Sequence, residues 1–375
     1  MKIAHVVTLL SEGGAYGGPS RVLQGQAVEL AARGHEVAVF AGWDGISKPT
    51  FGPHVTVRLF RARQLVPGAG FAGLIAPKLL ASIARFAGGF DVVHVHLARD
   101  LITMPAATIA VRRSNVVLQP HGMIQPDRRV KARAMDILSG TVFRRAGAVL
   151  FLTPAEEQGL HAVAESMRLR YLPNGIDVIP TSATSSEDVV LFCARLHPRK
   201  RVLAFVEMAA VLAGRGVKAR FLVAGPDGGE LPALRRAIRA LRGTVDISYI
   251  GPVAPDAVRD LLASAAVFVL PSVDEPFPMT VLEALAAATP VVLTDTCAIA
   301  DDLAARGAAL VTDGSARQLA DAVQLILTFP ERTRYQVRAG IEAIRDKYAI
   351  ATVVDQLEAI YRDVVHGGLA VATRR

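Results

Sequence analysis

The feature that most constrains this chain is an alternation that occurs twice: short apolar, β-branched runs separated by longer helical stretches. In the first half the runs fall at 3–8, 36–41, 55–60, 91–95, 116–119, 148–152 and 168–172, with helical patterns at 21–33, 101–112 and 131–146. Apolar runs bounded by Gly, Pro and Asp, and spaced by helices, predict buried parallel strands with right-handed crossovers. A turn- and Ser/Thr-rich stretch, PNGIDVIPTSATSSED at 173–188, reads as a linker. The alternation then restarts at 189–193, 219–224, 246–250, 267–270, 291–293 and 309–311, and helical segments at 330–347 and 352–365 close the chain. The predicted fold class is α/β, two Rossmann-like domains facing a central cleft. The first domain is 1–172 and the second 189–349, with a helix at about 350–366 packing back onto the first. The 375 residues suffice for two separate cores.

Charge is distributed unequally. Residues 1–180 hold 20 Lys+Arg against 12 Asp+Glu, and residues 181–375 hold 22 against 22, so the net +8 lies in the first half. A basic domain of this kind expects an anionic partner surface. Part of the basic excess lies on a predicted helix through Arg128, Arg129, Lys131 and Arg133, where apolar and basic residues alternate. Such a helix could lie on an anionic leaflet, or pack its apolar face into the first domain. Nucleic acid is the rival partner. The basic residues lack interleaved aromatics, which total 6%, and no binding motif accompanies them, so no nucleic-acid partner is expected. Cys193 and Cys297 have neither metal nor redox spacing and read as free thiols in a reducing compartment, which places the chain in the cytoplasm. No run of about 18 uncharged apolar residues occurs to span a bilayer.

The densest chemical signal is EPFPMTVLE, from Glu275 to Glu283. Pro276 and Pro278 forbid helix before about Met279, so the N–H groups of Phe277, Met279, Thr280 and Val281 can face a ligand at a helix start, which is an anion site. Carboxylates beside it can take vicinal hydroxyls, so the pair suits a molecule with a diphosphate in the middle and a sugar at each end. The competing reading of Glu283 is a capping box, Thr280-x-x-Glu283, with Glu283 in the helix's opening turn. Glu275 alone could be a solvated loop acid. A second piece, ARLHPRK at 194–200, puts Arg195 and Lys200 around a turn at the end of a strand, where a diphosphate would need countercharge.

In the first half, GGAYGGP at 13–19 follows the first strand, and its Gly17 and Gly18 could let backbone approach phosphates ahead of a helix that Ser20 could cap. His121 follows the strand at 116–119. His94 and His96 share a strand face at i, i+2, with no third ligand at recognisable spacing, so no metal is expected. His96 is read as lining an acceptor cleft and His94 as core.

RLHPRK, LVAGPDGG, YIGPV and PSVDEPFPMTVLEALAAATPVV, in this order, together with YGGPSRVLQGQAVELAARGHEV, resemble the retaining family-four glycosyltransferases of GT-B fold. QPHGMIQP is similar to a bacterial exopolysaccharide and lipopolysaccharide branch of that family. The resemblance implies that Arg195 and Lys200 neutralise the donor diphosphate and Glu283 holds the ribose hydroxyls. It implies that Glu275 and His121 contact the transferred sugar as catalytic residues, with backbone amides near Phe277, Met279 and Thr280, and that backbone near Val253 lines the base. Two departures stand out: EPFP replaces the commoner EGFG, so Pro278 removes one amide, and Ala288 stands where Gly often precedes Thr-Pro. The implied reaction moves a hexose-type sugar from a UDP- or GDP-linked donor to a hydroxyl of a glycan or lipid-linked acceptor, with retention, without metal or other cofactor, in cell-surface polysaccharide synthesis. Peripheral contact with the inner face of the cytoplasmic membrane through the first domain is expected. The alternative is a catalytically inactive nucleotide-sugar-binding protein.

Overall fold

Each predicted apolar run forms a strand in the computed structural model, which describes residues 1–10, 18–46, 49–124, 140–164, 166–178 and 188–372. In chain order the strands are β1 (Lys2–Leu10), β2 (Glu36–Trp43), β3 (Val55–Arg61), the short hairpin pair β4 (Arg63–Gln64) and β5 (Leu74–Ile75), β6 (Val92–His96), β7 (Asn115–Gln119), β8 (Ala148–Phe151) and β9 (Leu169–Tyr171). There follow β10 (Val189–Cys193), β11 (Arg220–Ala224), β12 (Ile247–Gly251), β13 (Val267–Leu270), β14 (Val291–Thr294) and β15 (Leu310–Thr312). The β4–β5 hairpin was not anticipated, because two-residue strands carry no periodic signal. The chain divides into two units, Met1–Gly175 with Ile350–Arg375, and Ile176–Ala349.

Among the described residues the first unit holds a parallel sheet in the order β3-β2-β1-β6-β7-β8-β9. Both faces are covered, which is why the strands read as near-continuous apolar runs rather than alternating ones. Ala4, Val6, Val93, Val95 and Leu118 pack with Leu79, Ile83 and Ala107 of the helices Pro77–Phe86 and Thr103–Ala110. Ile3, Val7, Val92 and Val117 pack instead with Leu23 and Leu30 of the helix Gly18–Ala32 and with Val353, Leu357 and Tyr361 of the last helix, Ile350–Ala372. Close approach of that last helix depends on Gly147, where a Cβ would sit 2.3 Å from Val364 Cγ1.

The second unit repeats the architecture with the order β12-β11-β10-β13-β14-β15, all parallel. Its core joins Val190, Phe192, Val223, Val269 and Val292 to Phe205, Met208 and Val323 of the flanking helices. In both sheets the order reverses beside the first strand, between β1 and β6 and between β10 and β13. Loops leaving the carboxyl ends of the strands diverge there and leave a crevice where α/β sheets receive ligands.

Some boundaries differ from the sequence reading. The helix Gly18–Ala32 already includes Ser20, which therefore does not cap it. The segment predicted as one helix over 330–347 is a helix Pro330–Ala343 followed by a π-helical turn Ile344–Tyr348. The last helix begins two residues before the 352–365 segment and runs through Gly367 to Ala372. Gly17 and the basic residues Arg128, Arg129, Lys131 and Arg133 lie outside the described residues.

Candidate active site

The reversal in the second sheet places the loop after β10 beside the loop after β13. The first loop carries Arg195 and then a 3-10 turn, Pro198–Lys200, whose first amide is held by the His197 ring, Arg199 N to His197 Nδ1 at 3.2 Å. It is tied to the second by Val273 N donating to Arg199 O at 2.9 Å. This brings Lys200 Nζ onto Glu275 Oε2 in an ion pair. The Glu275 side chain is 9% exposed and the Lys200 side chain 21%, so Glu275 is a buried, paired carboxylate and not a solvated loop acid. Its own carbonyl accepts from Ala298 N at 3.0 Å, which fixes the loop against the one after β14.

The helix that follows is Met279–Ala286, with Pro278 at its N-cap and no side-chain cap bond. The capping-box reading of Thr280 and Glu283 therefore fails: Thr280 lies inside the helix, and Glu283 lies in its second turn instead of the opening one. Among the described residues the amides of Phe277, Met279 and Thr280 have no hydrogen-bond partner, as expected of an uncapped helix start. The Val281 amide is not available, since it donates to Pro278 O at 3.0 Å. The Phe277 side chain is buried and packs edge-on against Tyr348 at 6.1 Å, so only its backbone can meet a ligand. Thr280, Met279 and Glu283 are half-buried.

The loops of the neighbouring strands continue the row along this edge. Gly225, after β11, has φ +136 and lies so close to the β10 loop that a Cβ would fall 1.9 Å from Ala194 O. Arg195 lies across the same turn, with its Cγ 3.0 Å from the position of a Cβ at Gly228. Gly225 N donates to Gly251 O at 2.9 Å, which leads to the half-buried Val253 after β12. Buried Cys297 lies by Glu275; burial, with the Glu275 charge second to it, pushes its thiol up to about 12, so it is inert.

In the first unit β7 ends in a turn in which His121 (φ 55) and Gly122 (φ 74) are both left-handed. The buried Glu156 carboxylate clamps this turn to the end of β8 by accepting from Gly122 N at 2.5 Å and Leu152 N at 2.7 Å. Burial raises the Glu156 pKa, and these two amides offset only part of the rise. The loop after β6 is organised likewise. The buried Asp100 carboxylate accepts from the Thr8 hydroxyl and from the amides of Ile102 at 2.8 Å and Thr103 at 2.6 Å. The sequence reading missed both acids, because nothing in one dimension separates a loop-organising acid from a solvated one.

It also missed His5. Parallel pairing of β1 with β6 sets His5 opposite His94, and the described structure gathers His5, His94, His96 and His121. His121 Nε2 meets His96 Nδ1 at 2.8 Å, His96 Nε2 meets His5 Nδ1 at 3.1 Å, and His94 Nδ1 meets Tyr361 Oη at 2.6 Å. Burial pulls the pKa of His5 and His121 down to about 3 and holds His94 and His96 well below the ordinary value. His96 is fully buried and touches His121 itself, so it backs that residue instead of lining an acceptor cleft. His5, His94 and His96 place ring nitrogens within 4.8 Å of one another, the third ligand that spacing alone could not reveal. Yet His94 and His96 are stacked, with 13° between planes and 4.6 Å between centroids. Imidazole lone pairs lie in the ring plane, so two stacked rings do not converge on one ion.

Two family models match the chain, "Glycosyltransferase Family 4" over residues 16–179 and "Glycosyl transferases group 1" over residues 187–328. A GDP-mannose-dependent alpha-(1-6)-phosphatidylinositol dimannoside mannosyltransferase of Mycobacterium tuberculosis is 32% identical over 194 residues, 51% of this chain and 47% of that protein. The chain thus spans about half the length of that relative. Sucrose-phosphate synthase of Thermosynechococcus elongatus superposes with a TM-score of 0.76 at 19% identity, over 98% of this chain and 100% of the other. Anabaena HepE in complex with UDP superposes with a TM-score of 0.72 at 18% identity, over 96% and 99%. With one model on each parallel-sheet unit and the fold shared over nearly the whole length, the chain belongs to the family-four glycosyltransferases and has the GT-B fold.

Proposed function

We propose that this protein transfers a hexose-type sugar from a UDP- or GDP-sugar to a hydroxyl of a glycan or lipid-linked acceptor, with retention and without a metal ion, in cell-surface polysaccharide synthesis. The observation that carries the reading is the meeting of Lys200, Glu275 and the open amides of Phe277, Met279 and Thr280 at the reversal point of the second sheet. From the loop of β12 to that of β13 is three strand spacings, about 14 Å, the length needed to lay a base at Val253, a diphosphate at Arg195 and Lys200, and a sugar at Glu275. Relatives support both nucleotides: one named relative is GDP-mannose-dependent, and HepE has been crystallised with UDP.

Arg195, Lys200 and the helix start supply the charge stabilisation that a divalent ion gives elsewhere. The acceptor hydroxyl attacks the anomeric carbon on the face from which the nucleoside diphosphate departs, through an oxocarbenium-like state. The bond from that carbon to the phosphate oxygen breaks, the new glycosidic C–O bond forms, and the acceptor proton passes to the departing diphosphate. Glu275 holds the sugar and Glu283 the ribose, with His121 read as a further sugar contact.

We place the enzyme in the cytoplasm, peripheral to the inner face of the membrane. The positive first half and the lipid-borne acceptor in the mannosyltransferase's name support this. No helix among the described residues is long and apolar enough to cross a membrane.

The test is transfer in excess EDTA by the wild type, Glu283→Ala and Lys200→Ala. Wild-type transfer should persist, and each variant should lose about a hundredfold or more in kcat/KM, the size of a lost charge-assisted contact to a charged leaving group. Lys200→Ala also leaves the buried Glu275 carboxylate unpaired, so its rates must be taken below its melting transition. Complete loss in EDTA restored by Mg²⁺ or Mn²⁺, or near-wild-type rates in either variant, would overturn the assignment.

A further inference from the structure

A row of three imidazoles runs inward from the end of β7: His121, His96 and His5, joined at 2.8 Å and 3.1 Å. We propose that His96 and His5 are positioning residues that fix His121 in its Nδ1–H tautomer, so that it presents a donor to an oxygen of the transferred sugar. The inference rests on the reading of His121 as facing the donor sugar.

The argument is a proton count. Burial keeps all three rings neutral, so together they carry three N–H groups and three lone pairs. The two contacts use two of each. One N–H and one lone pair remain, and they must fall at opposite ends of the row. Those ends are His121 Nδ1 and His5 Nε2, both buried and both without a partner among the described residues. If the protons sit on Nε2, an N–H is stranded at His5, where no acceptor lies within reach among the described residues. If they sit on Nδ1, His5 strands only a lone pair, and the surplus N–H falls on His121 Nδ1, which is buried at the end of β7 and lacks a partner among the described residues. Each arrangement leaves one buried N–H, and only the second puts it on the residue read as facing the sugar, so a sugar oxygen that accepts it makes the second arrangement the stable one, buried orphan donors being rarer in proteins than under-satisfied acceptors. Two further observations keep the row in line: His96 and His121 meet edge to edge in nearly parallel planes, with 8° between planes and 5.1 Å between centroids, and His94, held by Tyr361, stacks on His96 at 4.6 Å. His121 itself stands in the left-handed region, at φ 55.

The experiment is ¹⁵N-imidazole NMR of the full-length protein, with transfer kinetics on the same samples, for the wild type, His96→Phe, His96→Asn and His5→Phe. In the wild type saturated with the nucleotide sugar the proton of His121 should reside on Nδ1. In His96→Phe the donor to Nε2 is gone, so the spectrum should move toward the Nε2–H form and kcat/KM should fall by about tenfold to a hundredfold, the usual effect of a misdirected buried hydrogen bond. An asparagine amide can stand where Nδ1 of His96 stood, so His96→Asn should restore the tautomer and recover most of the lost rate. His5→Phe should give a smaller shift in the same direction, and it serves should His96→Phe fail to fold. A His121 proton found on Nε2 in the saturated wild type, or a tautomer unchanged in both phenylalanine variants, would overturn the proposal. Undiminished transfer in His121→Ala would instead remove the reading of His121 as a sugar contact, while the spectra still decide the coupling.

Discussion

Ala288 shows how much a single position can hold. It has φ +59 at the end of the helix Met279–Ala286. Thr289 N donates to Ala284 O at 2.9 Å and Ala288 N to Leu285 O at 3.1 Å, the paired bonds of a Schellman motif whose left-handed residue is usually glycine. The sequence showed that an alanine stands where glycine is common, but only the backbone shows why glycine is preferred. Ala288→Gly should therefore stabilise the second unit by about 1 kcal/mol, because Cβ strain in the left-handed region is relieved and only partly offset by the freer unfolded chain. Urea unfolding of the variant checks this, and a lower midpoint would mean that the alanine sits there without strain. Lys200 and Glu275 tell a related story. Their types and loops were legible, yet the ion pair between them was not, since it is made by a strand order that reverses between β10 and β13.

At the scale of elements, the strands were legible because parallel strands buried on both faces must be apolar along their whole length. What could not be read was register. His5 and His94 are cross-strand partners although 89 positions apart, and no spacing rule links them. The consequence for β1 and β6 is acid sensitivity. His5 and His121 have folded pKa values near 3, while an unfolded histidine titrates near 6.5. Between those limits the unfolded chain binds more protons than the folded one, so stability is full above about pH 6.5 and is lost as pH falls toward 3. Each of the two histidines should cost about 1 kcal/mol over the first pH unit below 6.5, and His94 and His96, also depressed, act in the same direction. Trp43, the single tryptophan, lies at the end of β2 in the first unit and reports on it alone. Urea melts followed by its fluorescence should shift to lower urea between pH 7.5 and 5.5. A midpoint constant over that range would mean that these histidines take up protons in the fold without cost.

At the scale of the whole molecule, the first unit is discontinuous: the chain leaves it at Gly175 and returns at Ile350. The returning helix is an integral part of the core. Val353, Val354, Leu357, Ile360, Tyr361 and Val364 are all buried against the face that carries Ile3, Val7 and Val92. Arg33 anchors the helix to Asp355 at 2.6 Å and to Ala351 O at 2.8 Å, and His35 pairs with Glu358 at 2.9 Å. The ion pairs are minor contributors, since surface pairs bring about 0–1 kcal/mol each. Burial decides the matter: at about 1.5–3 kcal/mol for each large apolar side chain, the six together contribute on the order of 10 kcal/mol, comparable with the entire stability of a domain. Losing the helix would also uncover His94, which Tyr361 holds, and admit water to rings that are neutral because they are dry. A chain ending at Ala349 should therefore lose the cooperative Trp43 unfolding transition, while residues 176–349, which hold a hydrophobic core of their own, should still melt cooperatively when expressed alone. If the truncated chain kept a native Trp43 transition within about 2 kcal/mol of the full-length protein, the area argument would fail, and the last helix would be a covering on a sheet already stable without it.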